Sequence, residues 1–106
     1  MGDSDKVLRS FPKEVREDIG RSLRQVQNGI KPHDAKPLSG TSGGVLEIVT
    51  RHDRETYRTV YAAKIGDAVY VLHVFHKKSK SGIKTPKQDI DLITKRFKEA
   101  QQDAAS

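Results

Sequence analysis

The 106-residue chain carries 20 Lys+Arg against 14 Asp+Glu, a net charge of +6, with 34% hydrophobic residues and no cysteine. That length holds one domain, read as residues 1–106, with a thin core; the missing cysteines remove disulfide scaffolds, thiolate zinc sites and cysteine nucleophiles. No apolar run approaches the roughly 18 residues of a membrane span, and MGDSDKVLRS opens with acids where a signal peptide would be basic then apolar, so a small, basic, cytoplasmic domain is expected.

The first predicted element follows Phe11-Pro12. Proline suits a first helical turn, and Glu14, Glu17 and Asp18 favour the positive end of a helix dipole. Val15, Ile19, Leu23 and Val26 recur at helical spacing, and Asn28-Gly29 supplies the stop. Residues 30–44 turn to Pro, Gly and Ser and read as a connector, with room for one short helical turn at 34–38.

Three β-branched and aromatic runs follow, at 45–50 (VLEIVT), 57–65 (YRTVYAAKI) and 68–75 (AVYVLHVF). HDRET at 52–56 reads as a polar loop and Gly66-Asp67 as a two-residue hairpin turn, so the strands are expected to form an antiparallel meander. Strict alternation puts Arg58, Val60 and Ala62 on one face and Tyr57, Thr59, Tyr61 and Ala63 on the other. In the third run it groups His73 and Phe75 with Val69 and Val71, and Tyr70, Leu72 and Val74 with His76.

Thr85 as N-cap and Pro86 at the first position open a last helix, whose Ile90, Ile93, Phe97 and Ala100 share a face. The tail at 102–106 is expected to fray. The expected fold is α+β: an N-terminal helix with a short second helix, a three- to four-stranded antiparallel sheet, and a C-terminal helix, the helices on one face.

The charge has an address. Residues 73–88 (HVFHKKSKSGIKTPKQ) hold five lysines, two histidines and no acid, a composition that attracts polyanions. His73 and His76, three apart on a strand, point to opposite faces and do not make a metal pair, so neither a metal nor a cofactor is expected. Asp89/Asp91 suits a helix start better than acid–base work, and GTSGG at 40–44 lacks the lysine and helix of a phosphate loop. What remains is a cationic and imidazole set on the sheet and its exits: Arg51, Arg58, His73, His76, Lys77 and Lys78. RNA cleavage needs a base for the 2′-hydroxyl, a donor for the 5′-oxygen and cations on the phosphoryl oxygens, and arginine serves the last role bidentately. The alternative for Arg58 is a sheet arginine paired to Glu47 or Glu55, and for His73 a hydrogen-bonded, half-buried core residue.

Four blocks in order carry a resemblance: FPKEVREDIG, AKPLSG…GGVLEIV, TYRTVY and YVLHVFHKKSKSGIKTPKQDIDLI. Over about residues 8–101 the chain resembles toxins of the RelE/ParE/HigB superfamily, in particular their phage-derived branch. The resemblance implies a microbial-ribonuclease-like fold, ribosome-dependent mRNA cleavage, and neutralisation by a cognate antitoxin, commonly a small helix-turn-helix protein. It also implies that Arg58 holds the scissile phosphate and that Lys77 and Lys78 contact phosphate or assist proton transfer. His76 is the candidate base, because the C-terminal tyrosine of several relatives has no counterpart after Tyr70. Arg51, His73, Lys80 and Lys84 are the candidate RNA contacts. Two other outcomes are a ParE-like gyrase inhibitor and a non-catalytic RNA- or partner-binding domain.

Overall fold

The computed structural model describes residues 4–30, 32, 35–38, 44–65, 68–78 and 87–105, with the backbone alone at 63–65, 68, 77–78 and 104–105. In chain order the elements are α1 (Ser4–Arg9), α2 (Lys13–Gln27), β1 (Ala35–Pro37), β2 (Val45–His52), β3 (Glu55–Ile65), β4 (Ala68–Lys78) and α3 (Lys87–Ala105). The strands form one antiparallel sheet in the order β1-β2-β3-β4, so the fold is α+β with two N-terminal helices, a four-stranded meander and a C-terminal helix.

The apolar stripe of α2 lies where its periodicity puts it. Val15, Ile19 and Val26 are buried and Leu23 packs beside them. Its end is a Schellman turn: Gly29 takes φ 79°, its N–H donates to the Val26 carbonyl at 3.0 Å, and the Ile30 N–H reaches Gln25 at 2.8 Å. The short helical turn expected at 34–38 is replaced over Ala35–Pro37 by a strand that pairs with Leu46–Ile48, and α1 at the N-terminus is a helix that was not expected.

Helices cover both faces of the sheet, not one. Phe11, Val15 and Ile19 pack on Tyr57 and Val74, and Val26 on Ile48 and Tyr61, on the α1/α2 side. Ile93, Phe97 and Ala100 of α3 pack on Val45, Val60, Ala62 and Leu72 on the other. A thin chain covers both sides because every inner strand carries apolar residues on both of its faces, and each needs a partner layer.

Strict alternation in β4 is also corrected. Tyr61 pairs with Val71 and Val60 with His73, so Leu72 is an extra residue in a β-bulge. Val69, Val71 and Val74 therefore pack toward α2, while Tyr70, Leu72 and Phe75 pack toward α3. The polar loop at 52–56 contracts to a two-residue turn, because His52 pairs with Glu55 and both Asp53 (φ 47°) and Arg54 (φ 66°) are left-handed. The β3–β4 pairing reaches Ile65 and Ala68, whereas the Gly66-Asp67 turn and the Thr85-Pro86 helix start lie outside the described residues. The expected frayed tail is helical through Ala105, and the Tyr70 hydroxyl donates to Asp103 Oδ2 at 2.8 Å.

A β-carbon at φ > 0 is strained, and glycine relieves it. Arg54→Gly is expected to raise stability by about 1 kcal/mol, read as a higher midpoint in urea at unchanged slope.

Candidate functional site

Face assignment decides which candidate residues meet. Arg58 pairs laterally with Val49 and Phe75, and its Nη1 donates to Glu47 Oε2 at 3.3 Å. Glu47 is only 3% exposed, inside the otherwise apolar run VLEIV, and its other oxygen lies 3.5 Å from Lys36 Nζ. A carboxylate so buried requires charge partners, and here two cations from β1 and β3 flank it. The group lies on the α3 side of the sheet, because Glu47 pairs laterally with Val60, which packs with Ile93 and Phe97. It is a carboxylate held between two cations, a unit that can exchange its anion for a phosphate or accept a proton.

His76 does not join Arg58. It pairs with Tyr57, one step along the ladder from Arg58 and Phe75, and so lies on the opposite face. There its ring stacks on Tyr57 at 5.1 Å and meets Phe11 edge-on at 5.8 Å, with Nε2 3.8 Å from Glu55 Oε1. Tyr57 donates to the second Glu55 oxygen at 2.8 Å. The result is a second cluster, aromatic and acidic, beneath α1.

His73 belongs to neither. It is 8% exposed and stacks on Phe75 at 5.0 Å. Nε2 lies 2.9 Å from Asp89 Oδ1 in the first turn of α3, and Nδ1 lies 3.4 Å from Arg96 Nη1. A guanidinium can only donate, so Nδ1 is the acceptor and the Nε2–H donates to Asp89. The same Arg96 nitrogen donates to the Leu72 carbonyl at 2.8 Å. His73 thus anchors α3 to the bulge, the hydrogen-bonded core role that was its alternative reading, and as packed it faces α3 rather than a nucleic acid.

Of the other candidates, Arg51 is exposed and pairs with Thr56. Lys77 pairs with Thr56 and Lys78 with Glu55 at the end of the ladder. Lys80 and Lys84 lie outside the described residues. His73 and His76 lie on opposite faces, as their spacing predicts. No group of three metal-ligating side chains occurs among the described residues.

Sequence reasoning named Glu47 only as a partner for Arg58 and missed Lys36. One signal was present, a lone acid inside an apolar strand, which calls for a buried cation. For Lys36 there was none, because the pairing of β1 depends on the connector's path.

Burial, then the hydrogen bond to Glu55, raises the Tyr57 phenol above its ordinary 10.0. A group raised on folding contributes stability that is complete below its unfolded pKa and lost as pH rises through the folded one. Unfolding above pH 10 is therefore expected to coincide with tyrosinate absorbance, and Tyr57→Phe to weaken that coupling. Asp89→Ala and His73→Ala are each expected to cost about 1–3 kcal/mol in urea unfolding, and the double variant less than their sum.

The family model for the phage derived protein Gp49-like family (DUF891) matches residues 6–98. No curated protein and no solved structure matches the chain.

Proposed function

Because this chain belongs to the phage-derived Gp49-like family, we propose that it is the toxin of a type II toxin–antitoxin system, within the RelE/ParE/HigB superfamily, and a metal-independent endoribonuclease that cuts mRNA on the translating ribosome. The observation that carries the reading is Arg58 beside a buried carboxylate, with Lys36 on that carboxylate's far oxygen. A cognate antitoxin, a helix-turn-helix protein, is the proposed neutralising partner.

The chemistry follows from that triplet. A phosphodiester on the α3-side face meets Arg58, whose planar fork matches two phosphoryl oxygens, and then Lys36 as a point charge. Phosphate replaces Glu47 as the partner of these cations. The freed carboxylate takes the proton of the 2′-hydroxyl, whose oxygen attacks phosphorus while the bond to the 5′-oxygen breaks. Lys77, opposite Thr56 and two residues from Arg58 along the ladder, is the proposed donor to that oxygen. Glu47 takes the base role first assigned to His76, because His76 is on the other side of the sheet. A gyrase inhibitor would need no carboxylate between the cations, so the triplet favours RNA chemistry over that alternative.

The test is induction in growing cells, with transcripts mapped in the presence and absence of a translation inhibitor. The unaltered chain should cleave mRNA only during translation and leave DNA supercoiling unchanged. Arg58→Lys, which keeps the ion pair but loses the fork, and Glu47→Gln should each lower cleavage by about a hundredfold while the protein stays folded by circular dichroism. Growth arrest with intact transcripts and relaxed plasmid would replace the reading by the gyrase one.

A further inference from the structure

Across β2, β3 and β4 the register lines up Val49, Arg58 and Phe75 as one lateral row. All three are half-buried, so this row keeps contact with solvent although Val60, in the adjacent row, is wholly buried under α3. The row on its other side is Arg51, Thr56 and Lys77. Together the two rows bring three cations and no acid to one stretch of the sheet. Phe75 packs against the α3-side core, and its ring stacks on His73 at 5.0 Å and 24°. That imidazole is fixed at both nitrogens, by Asp89 at 2.9 Å and by Arg96 at 3.4 Å. One face of Phe75 therefore rests on a buried, doubly bonded ring, which sets the plane of the phenyl group before any ligand arrives.

Directly opposed residues on neighbouring strands have β-carbons about 5 Å apart, a separation that one sugar bridges between a phosphate and its base. We infer that Phe75 is the stacking platform for the nucleobase adjoining the phosphate held by Arg58, so that the stack runs His73, Phe75, base. The inference deepens the ribonuclease reading and rests on Arg58 as the phosphate holder. It supplies what the group of Arg58, Glu47 and Lys36 lacks, since cations and a carboxylate recognise a phosphodiester and not a base. Stacking accepts any base, because every base has a π-face, but in a duplex both faces are covered by neighbouring bases. The platform therefore selects an unpaired nucleotide over a duplex and over a bare phosphate. The three tyrosines are worse placed for this role. Tyr57 and Tyr61 are buried on the α1/α2 side, and the Tyr70 hydroxyl is bonded to Asp103 on α3.

The test titrates the full isotope-labelled chain with adenosine 3′-monophosphate and with ribose 5-phosphate, which lacks the base, and follows the Arg58 side chain and the Phe75 ring by NMR. Both ligands should shift Arg58. Only the nucleotide should move the Phe75 ring protons upfield by its ring current, and it should bind about tenfold more tightly than the sugar phosphate. Phe75→Leu, which keeps an apolar side chain against the core, should abolish that preference and leave the sugar phosphate affinity unchanged. Phe75→Tyr keeps the ring and should keep the preference. Equal affinities for the two ligands in the unaltered chain, or an unchanged nucleotide affinity in a folded Phe75→Leu, overturns the platform and leaves Arg58 as the phosphate holder. No shift at Arg58 with either ligand overturns both. Intact transcripts in cells, with the nucleotide still bound more tightly than the sugar phosphate, remove the cleavage step and support the platform.

Discussion

At Leu72 the fourth strand carries one residue more than its neighbour, and Arg96 of α3 takes the Leu72 carbonyl at 2.8 Å while approaching the Nδ1 of His73. Most of the molecule's layout depends on this clamp. A one-residue shift in a strand exchanges its two faces, so the bulge decides that Phe75 rather than Val74 lies under α3. The Asp89–His73 bond then holds the first turn of α3 over the same spot. A carboxylate in a first helical turn suits the helix dipole as well, so one residue serves both the helix and its docking.

Two polar groups sit on opposite faces at the far end of the sheet. One is Arg58, Glu47 and Lys36, and the other is His76, Glu55 and Tyr57 with Phe11. They are separated by the thickness of a strand, although Tyr57 and Arg58 are adjacent in the chain. The first group is electrostatic, a buried carboxylate that costs free energy unless its cations stay close. The second is mostly aromatic packing, in which the imidazole ring contributes area as well as a nitrogen.

Much of this was legible from local pattern. The stripe Val15–Ile19–Leu23–Val26, the Asn28-Gly29 stop and the face Ile93–Phe97–Ala100 are helical periodicities, and they lie where they were expected. The pairing of Arg58 with Glu47 was one of two readings open for a strand arginine. The tight turn at Asp53-Arg54 was obscured, because arginine is a poor left-handed residue and HDRET looks like a longer polar loop. The strand at Ala35–Pro37 was obscured for another reason. Three residues with a proline have no strand signature, and only the neighbouring edge of β2 makes them one.

The sequence by itself determined that this is a small, basic, cysteine-free chain with a helix, a meander and a helix, carrying an arginine in its middle strand and a lysine-rich exit from its last one. These are properties of composition, period and turn chemistry, which each segment expresses whatever surrounds it. Only the tertiary structure decided which groups meet. A bulge changes the facing of every residue beyond it and leaves no mark in composition. The registers of β1, β2 and β3 put Arg58 with Glu47 and Lys36, and the register of β4 beyond its bulge put His76 on the far side with Tyr57. Arg58 and His76, grouped together from the sequence, are therefore divided by the sheet, and the proposed chemistry rests on the face that holds a carboxylate between two cations.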